Sequence, residues 1–260
     1  MLLRLVFCIL LLYVSLPSCK KVNAAKGDKQ PHLVQVPYYN KIDLRAGGTL
    51  IYNEDTTVQL TSVLTTSEVI EALNIYVEDS TLIIDVHNNY SIKNADNIQY
   101  SINGALIKEF VLSGTGEIYV NRTTDSILDR CDLILNGFGE INVNQMNCAI
   151  LLSVLSGNGE INVQGLETQS NNSVISGSGD IALYGNTIHS YLQINGTGNI
   201  YSYPLQADHT VCNASGNASM RVQADSTLEV SISGYANIFF KGYPTITTDI
   251  TGDGGVFDDN

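Results

Sequence analysis

Four acidic residues recur at nearly even spacing in the second half of the chain, where a series of carboxylates could bind a divalent cation. They are Glu117, Glu140, Glu160 and Asp180. If successive segments stack about 5 Å apart, these side chains form a ladder whose mutual repulsion calcium would relieve. The alternative is a solvated acidic surface, because each segment supplies a single carboxylate and none resembles a calcium loop. We expect no metal site and keep the calcium ladder as a hypothesis.

Aromatic residues lie two positions after an acid of this series or after the equivalent position of another segment. They are Tyr119, Tyr201, Phe239 and Phe257. Exposed rings on a flat β surface can stack on sugars or anchor a partner protein. Packing between neighbouring segments, which would stiffen the molecule, is the alternative. We take the four rings as candidate ligand-facing residues for an unknown glycan or protein.

The basic residues and histidines do not indicate catalysis. Hydrolysis or elimination on a polysaccharide needs converging carboxylates, or a base beside Arg or Lys. The cationic residues fall at different phases of the segments, and the histidines are isolated: Lys108, Arg122, Arg130, Arg221 and Lys241, and His87, His189 and His209. We therefore expect neither an enzyme nor a cofactor. A carbohydrate-active enzyme and a purely structural envelope component remain the alternatives.

A repeated motif must position all of these side chains. The stretch LSGTGEIYV at residues 112–120 returns as LNGFGEINV, LSGNGEINV and ISGSGDIAL. Counted from the Ser, Asn or Thr before the first small residue, eight copies begin 18 to 23 residues apart, from Ser113 to Thr251. Every copy has an apolar residue just before this position and another five residues after it. Regular self-similarity with a period of this length predicts a solenoid.

A pair of small residues, usually glycines, lies between the two apolar positions. All four positions share one parity, which in an extended strand predicts an inward face of large, small, small and large residues. The glycines would then let a facing wall approach closely, and turns with positive φ are the alternative. The glycines of the first five copies are Gly114, Gly116, Gly137, Gly139, Gly157, Gly159, Gly177, Gly179, Gly196 and Gly198.

These patterns predict an all-β fold, a parallel β-helix of about 20-residue coils that is right-handed by the usual preference of parallel crossovers. Regular repeats would occupy residues 108–260. Residues 33–107 lack the glycine pair but still alternate, and we interpret them as an irregular β capping region continuous with the repeats. A short turn or helix is expected near Ser67–Leu73. A cap is needed because an open strand edge invites aggregation.

The N-terminus predicts export. Residues 1–18 combine Arg4 with an apolar core too short to span a membrane, which is typical of a signal peptide. The following Cys19 completes a sequence that resembles the bacterial lipobox, so we expect lipidation at Cys19, with ordinary secretion as the alternative. Residues 19–32 would form a flexible tether. The chain would then be anchored by lipid to the outer membrane, on its periplasmic or exposed side.

Charge and cysteine content exclude further classes. The formal net charge of −13 argues against binding nucleic acid or an anionic membrane face through non-specific electrostatics. Cys131, Cys148 and Cys212 form no CxxC pair, which argues against a metal cluster and favours buried packing. Their disulfide state and the oligomeric state of the chain stay open.

Three stretches, VPYYNKIDL, VEDSTLIIDV and LSGTGEIYV with its repeats, resemble a known family over nearly all of residues 34–260. It is the "Putative auto-transporter adhesin, head GIN domain" family of secreted bacterial lipoproteins. The resemblance implies a parallel β-helix in the periplasm or outside the cell, often behind a lipobox, and brings no catalytic residues. Late copies depart from the pattern at Ala218 and Ala236, where we expect a slightly wider coil.

Overall fold

The computed structural model describes residues 19–55, 60–104, 106–122 and 127–260, so the predicted signal peptide lies outside the described residues. Within them the only helices are α1, Ser67–Ile70, and a short 3-10 helix, Ala95–Asn97. The side chain of Thr66 caps α1 by accepting a hydrogen bond from the Val69 N–H. The predicted all-β class and the short helix are confirmed. No helix in the described part of the chain is long and apolar enough to cross a membrane.

Twenty-three strands account for the rest of the regular structure in the described ranges. In chain order they are β1 Lys20–Asn23, β2 Gln30–Val34, β3 Lys41–Leu44, β4 Gly48–Glu54, β5 Leu60–Thr65, β6 Leu73–Glu78, β7 Thr81–Val86, β8 Tyr90–Lys93, β9 Gln99–Gly104, β10 Glu109–Leu112, β11 Thr115–Asn121 and β12 Leu128–Leu135. They continue with β13 Phe138–Val143, β14 Met146–Leu155, β15 Asn158–Ile175, β16 Ser178–Ile194, β17 Thr197–Ser202, β18 Leu205–Ala214, β19 Asn217–Gln223, β20 Thr227–Ile232, β21 Tyr235–Lys241, β22 Thr245–Ile250 and β23 Asp253–Asp258.

Twenty-one of these strands form one continuous sheet that folds into two faces, and β1 pairs with β8 in a separate two-stranded sheet. Face I contains, in order, β6, β7, β3, β10, β12, β14, the second halves of β15 and β16, then β18, β20 and β22. Face II contains β2, β5, β9, β4, β11, β13, the first halves of β15 and β16, then β17, β19, β21 and β23. All pairs are parallel except β6 with β7, β5 with β9 and β2 with β5. The predicted parallel β-solenoid is confirmed.

The core lies between the two faces. The apolar residue before each motif and the one five residues after its start are buried in the first seven copies. The rings of Tyr52 on β4 and Phe110 on β10 meet across the core with centroids 5.3 Å apart. Burying one Ile or Leu side chain contributes about 1.5–3 kcal/mol, so these ladders hold the faces together. No further coil of the described residues covers the coil of β22 and β23, and Ile250 there is 42% exposed.

The glycine pairs lie at the corner where the chain passes from face I to face II, not on an inward strand surface. A Cβ on Gly139 would lie 1.8 Å from the carbonyl oxygen of Gly116 in the preceding coil, and one on Gly137 equally close to that of Gly114. The φ angle of Gly139 is also positive, at 136°. The expected close approach of a facing wall is therefore wrong. Parity fails here because the backbone turns at the corner, and the close contact is with the coil below.

The solenoid begins earlier in the chain than residue 108. β3 and β4 stack in parallel on β10 and β11, with Gly48 in register with Gly116. A further copy of the repeat, in which alanine replaces the first glycine, therefore precedes the eight that the glycine pair marks: Leu44, Ala46, Gly48 and Leu50. Residues 33–107 thus combine a cap with genuine coils.

The segment predicted to be a flexible tether is largely structured, which corrects that expectation. β1 pairs in parallel with β8, from Lys20 with Tyr90 to Asn23 with Lys93. Val22 and Ala24 are buried in the main core. Their apolar side chains lie between lysines, and the partner strand is distant in the sequence, so local composition gave no sign of this pairing.

Candidate functional site

A line of outward side chains on face II, here called the outer row, carries the predicted aromatic residues. Its members lie six places after the start of each motif or pair in register with such a residue. In order they are Ile51, Tyr119, Asn142, Asn162, Ala182, Tyr201, Arg221, Phe239 and Phe257. Adjacent strands are about 4.8 Å apart, so the row is a strip roughly 40 Å long. A single extended ligand can contact several of its members.

Tyr119 lies in a shallow groove of about 180 Å³. Five side-chain amides line it, and with Tyr119 they are called the amide groove: Asn121, Asn142, Asn144, Asn162 and Gln164. Each amide offers two N–H donors and one carbonyl acceptor. The groove therefore places an aromatic ring beside many uncharged hydrogen-bonding groups.

Hydrogen bonds orient several of these amides. Gln164 Nε2 donates to Asn162 Oδ1 at 2.8 Å, and the backbone N–H of Arg122 donates to Asn144 Oδ1 at 3.0 Å. These bonds use only part of the capacity of each amide. The remaining donors and acceptors are held in fixed positions, which lowers the entropy lost when a ligand binds.

The phenol of Tyr119 is kept in its protonated form. Partial burial raises its pKa, and a hydrogen bond with Glu117 and the negative charges of Glu117 and Glu140 raise it further. At neutral pH the ring is therefore uncharged and its hydroxyl remains a donor. Such a ring can stack on the apolar side of a sugar without repelling its hydroxyl oxygens.

A second cluster, here called the cationic aromatic patch, lies at the far end of the outer row. Cζ of Arg221 lies 5.7 Å from the ring centre of Tyr201 and 5.4 Å from that of Phe239. The rings of Phe239 and Phe257 stack with centroids 5.3 Å apart. Beside them, Nζ of Lys241 lies 5.0 Å from the ring centre of Tyr203. The patch comprises Tyr201, Tyr203, Arg221, Phe239, Lys241 and Phe257.

The structure thus brings together three of the four predicted aromatics and leaves Tyr119 apart. Four strand steps, about 19 Å, separate Tyr119 from Tyr201 along the row. The amides and Arg221 are functional candidates that the aromatic pattern missed. The position within the repeat identifies Arg221 as a candidate, because Arg221 lies six places after Ser215, where other copies carry Tyr or Phe.

The predicted acidic ladder is present on the same face. Glu117, Glu140, Glu160 and Asp180 pair in register on successive strands, which confirms the expected stacking. Burial raises the pKa of Glu160, and the charges of Glu140 and Asp180 add to this effect. Oδ1 of Asp180 accepts hydrogen bonds from the backbone and side-chain nitrogens of Asn199. In the described ranges no group of three or more His, Cys, Asp or Glu could hold a metal, so the calcium hypothesis gains no ligand set.

The sequence profile of the family described as "Putative auto-transporter adhesin, head GIN domain" matches residues 38–244. The chain belongs to this family. The match covers most of the cap and coils of the head GIN domain and confirms the resemblance noted in the sequence. No curated protein sequence matches the chain.

Solved structures resemble this head GIN domain over almost their entire length. A crystal structure of a "putative adhesin" from Parabacteroides distasonis has 22% identity and a TM-score of 0.82, covering 92% of this chain and 100% of that one. A "putative lipid binding protein" from the same species has 20% identity and a TM-score of 0.79, with 93% and 100% covered. A "putative adhesin" from Parabacteroides merdae has 17% identity and a TM-score of 0.76, also with 93% and 100% covered. At these identities the likeness shows the shared fold alone.

A cleft of about 480 Å³ lies where the cap of the head GIN domain meets the first LSGTGEIYV motif. Its charged lining residues are Arg45, Asp96 and Glu117. Nε of Arg45 donates to Oδ2 of Asp43 at 2.6 Å, and this hydrogen bond raises the pKa of the guanidinium. Carboxylates near an arginine are a combination that polysaccharide cleavage uses, so this cleft is where the enzyme alternative has to be tested.

Two of the histidines are not isolated, contrary to expectation. His189 and His209 lie opposite each other on neighbouring strands, and their rings stack with centroids 5.1 Å apart. Nδ1 of His209 lies 2.9 Å from the hydroxyl oxygen of Thr227. The two histidines are one repeat period apart in the sequence, and this spacing predicts that they lie side by side on neighbouring coils.

The cysteines fit the expected packing role. Cys131, Cys148 and Cys212 are buried free thiols, whereas Cys19 is exposed at the start of the described chain. Burial raises the pKa of Cys148 to about 11 and that of Cys212 to about 12, and it raises that of Cys131 as well. These three thiols stay protonated and unreactive at neutral pH.

Proposed function

We propose that this head GIN domain is a non-enzymatic binding module of the cell envelope and that its ligand is a glycan lying along the outer row. The observation that carries the proposal is the amide groove, where Tyr119 lies beside five side-chain amides. Sugars present apolar ring faces surrounded by hydroxyl groups, each of which both donates and accepts. A ring flanked by neutral amides complements both features.

A glycan is favoured over a protein partner by the polarity of this groove. The buried centre of a protein–protein interface is commonly rich in aromatic and apolar side chains. Here Val143 is the only aliphatic side chain that lines the described groove around Tyr119. The family's description as an adhesin agrees with a binding role at the envelope.

A glycan array probed with the purified protein tests the proposal, followed by calorimetry on the glycans that bind. Tyr119→Ala is expected to weaken binding about two- to tenfold, the loss associated with removing one stacking ring. Phe138→Ala is the matched control, since Phe138 is 60% exposed but lies outside the outer row. Silence across the array, or a loss confined to Phe138→Ala, would contradict the proposal. Silence would favour a protein partner or a purely structural role.

Lipidation of Cys19 is the means of attachment that we propose. Cys19 is exposed, and β1 begins at the next residue, so a lipid there would hold the folded domain close to the membrane. Expression in a bacterial host with labelled palmitate should label the chain and place it in the membrane fraction. Cys19→Ser should remove both signals without altering the fold. Unlabelled protein in the soluble fraction would contradict lipidation.

The enzyme alternative rests on the cleft that contains Arg45, Asp96 and Glu117. Each polysaccharide that binds should be incubated with the protein and assayed for new reducing ends and for unsaturated products. We expect neither to form. Product release that disappears in Glu117→Gln would replace the binding proposal with a catalytic one.

A further inference from the structure

The distribution of charge singles out the cationic aromatic patch. Residues 131–260 contain twelve Asp and Glu but only two cationic side chains, Arg221 and Lys241. Both lie over rings of this one patch. Two cations that converge on one patch of a strongly acidic body form a local positive site.

Neither of these two cations forms a direct ion pair with a carboxylate of the described chain. The ion pairs within these residues involve Lys41, Arg45, Arg122 and Arg130 instead. Asp259 lies beside Tyr203 and accepts a hydrogen bond from its hydroxyl at 2.7 Å, which engages that carboxylate with the phenol. The guanidinium and the ammonium group therefore keep their capacity to bind an anion.

The rings orient the cations. Arg221 lies between Tyr201 and Phe239, both within the roughly 6 Å over which a cation is attracted to an aromatic face. A guanidinium held in this way can offer its N–H groups to both oxygens of a carboxylate. The adjacent rings of Phe239 and Phe257 supply an apolar surface at the same place.

We infer that the cationic aromatic patch binds a carboxylated sugar within the glycan ligand. A carboxylated sugar matches both the rings and the cations of the patch. Its ring stacks on the aromatic side chains while its carboxylate pairs with Arg221 and Lys241. The net charge of −13 repels densely charged polymers, so the ligand carries isolated carboxylates rather than a continuous run of sulfates. This inference rests on the proposed glycan-binding function and names the chemical class of its ligand.

Paired probes test the inference with the whole protein. Binding of sialyllactose is compared with that of lactose, and binding of trigalacturonate with that of its carboxyl-reduced form. The carboxylated member of at least one pair should bind about tenfold tighter, as expected for one charge-assisted hydrogen-bonded pair. Arg221→Gln should abolish this preference, so that the two members of each pair bind alike. Arg130→Gln, which removes a cation remote from the patch, should retain the preference.

The outcomes distinguish failure of the inference from failure of the proposed function. Equal affinity for both members of every pair overturns the inference and leaves the proposed function standing. Absence of binding to all four probes, together with a silent glycan array, overturns both. Polyglutamate binding as tightly as the carboxylated sugars also overturns the inference, because it would indicate an acidic peptide. Thermal unfolding of Arg221→Gln should match that of the unmodified protein, and a misfolded variant is replaced by Lys241→Gln, for which the same loss of preference is expected.

Discussion

At the scale of single residues, the glycine corner depends on contact between the backbones of successive coils. A Cβ on Gly157 would lie 2.0 Å from the carbonyl oxygen of Gly137. That oxygen is held in place because it accepts a hydrogen bond from the N–H of Asn158 at 2.9 Å. The neighbour cannot yield without breaking the ladder, so no larger residue fits unless the coils separate.

Gly157→Ala is therefore expected to lower the free energy of unfolding by at least about 1–3 kcal/mol, as overpacking does. Urea denaturation followed by circular dichroism measures the change. Gly255→Ala is the matched control, since its Cβ would meet the outer end of the Phe257 ring at 3.0 Å, and that ring can rotate. Equal destabilisation by the two variants would mean that the corner contact is not the cause.

A buried ion pair joins the coil of β4 to the next coil, at the end of β11. Nε of Arg122 lies 3.1 Å from Oε2 of Glu54, and both side chains are at most 2% exposed. Nη1 of Arg122 also contacts the sulfur of Met146 at 3.6 Å. Each charge depends on the other, because an unpaired ion in this position would have lost its hydration.

Arg122→Met should lower the free energy of unfolding by about 3–5 kcal/mol, the usual result of removing one partner of a buried ion pair. Arg130→Met removes an exposed partner of Asp132 and should change it by less than about 1 kcal/mol. Chemical denaturation of both variants at neutral pH compares them. A small effect at Arg122 would show that Glu54 is neutral or reaches water.

At the scale of elements, the parallel register of β11, β13, β15 and β16 holds the acidic ladder in place. Burial and the charges of Glu140 and Asp180 favour the protonated form of Glu160 in the folded chain. A carboxyl group whose pKa is raised by folding binds its proton more tightly in the folded state. The folded state therefore gains stability from this group as the pH falls through the raised pKa towards the ordinary value of 4.5.

Glu160→Gln should accordingly raise the melting temperature at pH 7, and the gain should shrink as the pH approaches 4.5. Thermal melts across this pH range test the prediction. Glu229→Gln changes an exposed carboxyl outside the ladder and should show no such trend. A gain from Glu160→Gln that is independent of pH would point to packing instead of charge.

The elements differ in how far the sequence predicts them. The sequence predicts the buried apolar ladders through Leu112 and Ile118 as well as the acidic ladder. The repeat period and the strand parity are sufficient for this, because period and parity hold along straight strands. The position of Gly116 relative to the core does not follow from parity, because the backbone turns at the corner and residues no longer alternate between the two sides of a strand. The contacts of Arg221 are with residues of the neighbouring coils, one repeat away in the sequence. They can be predicted only when each residue is assigned its position within the repeat. The pairing of Lys20 with Tyr90 leaves no periodic trace at all.

At the scale of the whole molecule, the two ends of the solenoid are built differently. At the N-terminal end the antiparallel strands β2, β5 and β6 close the two faces. At the other end, no strand of the described chain pairs with the outer edges of β22 and β23. All six residues of β22 are exposed, including Ile246 and Ile250. The last coil therefore adds little buried apolar surface.

Deleting residues 243–260 should thus lower the melting temperature only slightly, because solenoid stability is close to a sum over neighbouring coils. Deleting residues 19–36, a segment of equal length, should lower it much more. That deletion removes the buried Val22 and Ala24 and uncovers the edge of β5. Thermal melts of the two truncated proteins decide the matter, and a larger loss from the C-terminal deletion would contradict the assigned roles of the ends.

The strand order on face I also sets the order in which the chain can acquire its structure. On face I, β3 lies between β7 and β10, and on face II, β4 lies between β9 and β11 in the same way. The first coil to be synthesised is therefore completed only after the chain has extended through β11, which ends at Asn121. Every later coil pairs with the one made just before it. We therefore expect the folding chain to form a cooperative nucleus at the N-terminal end first and then to grow by one coil at a time.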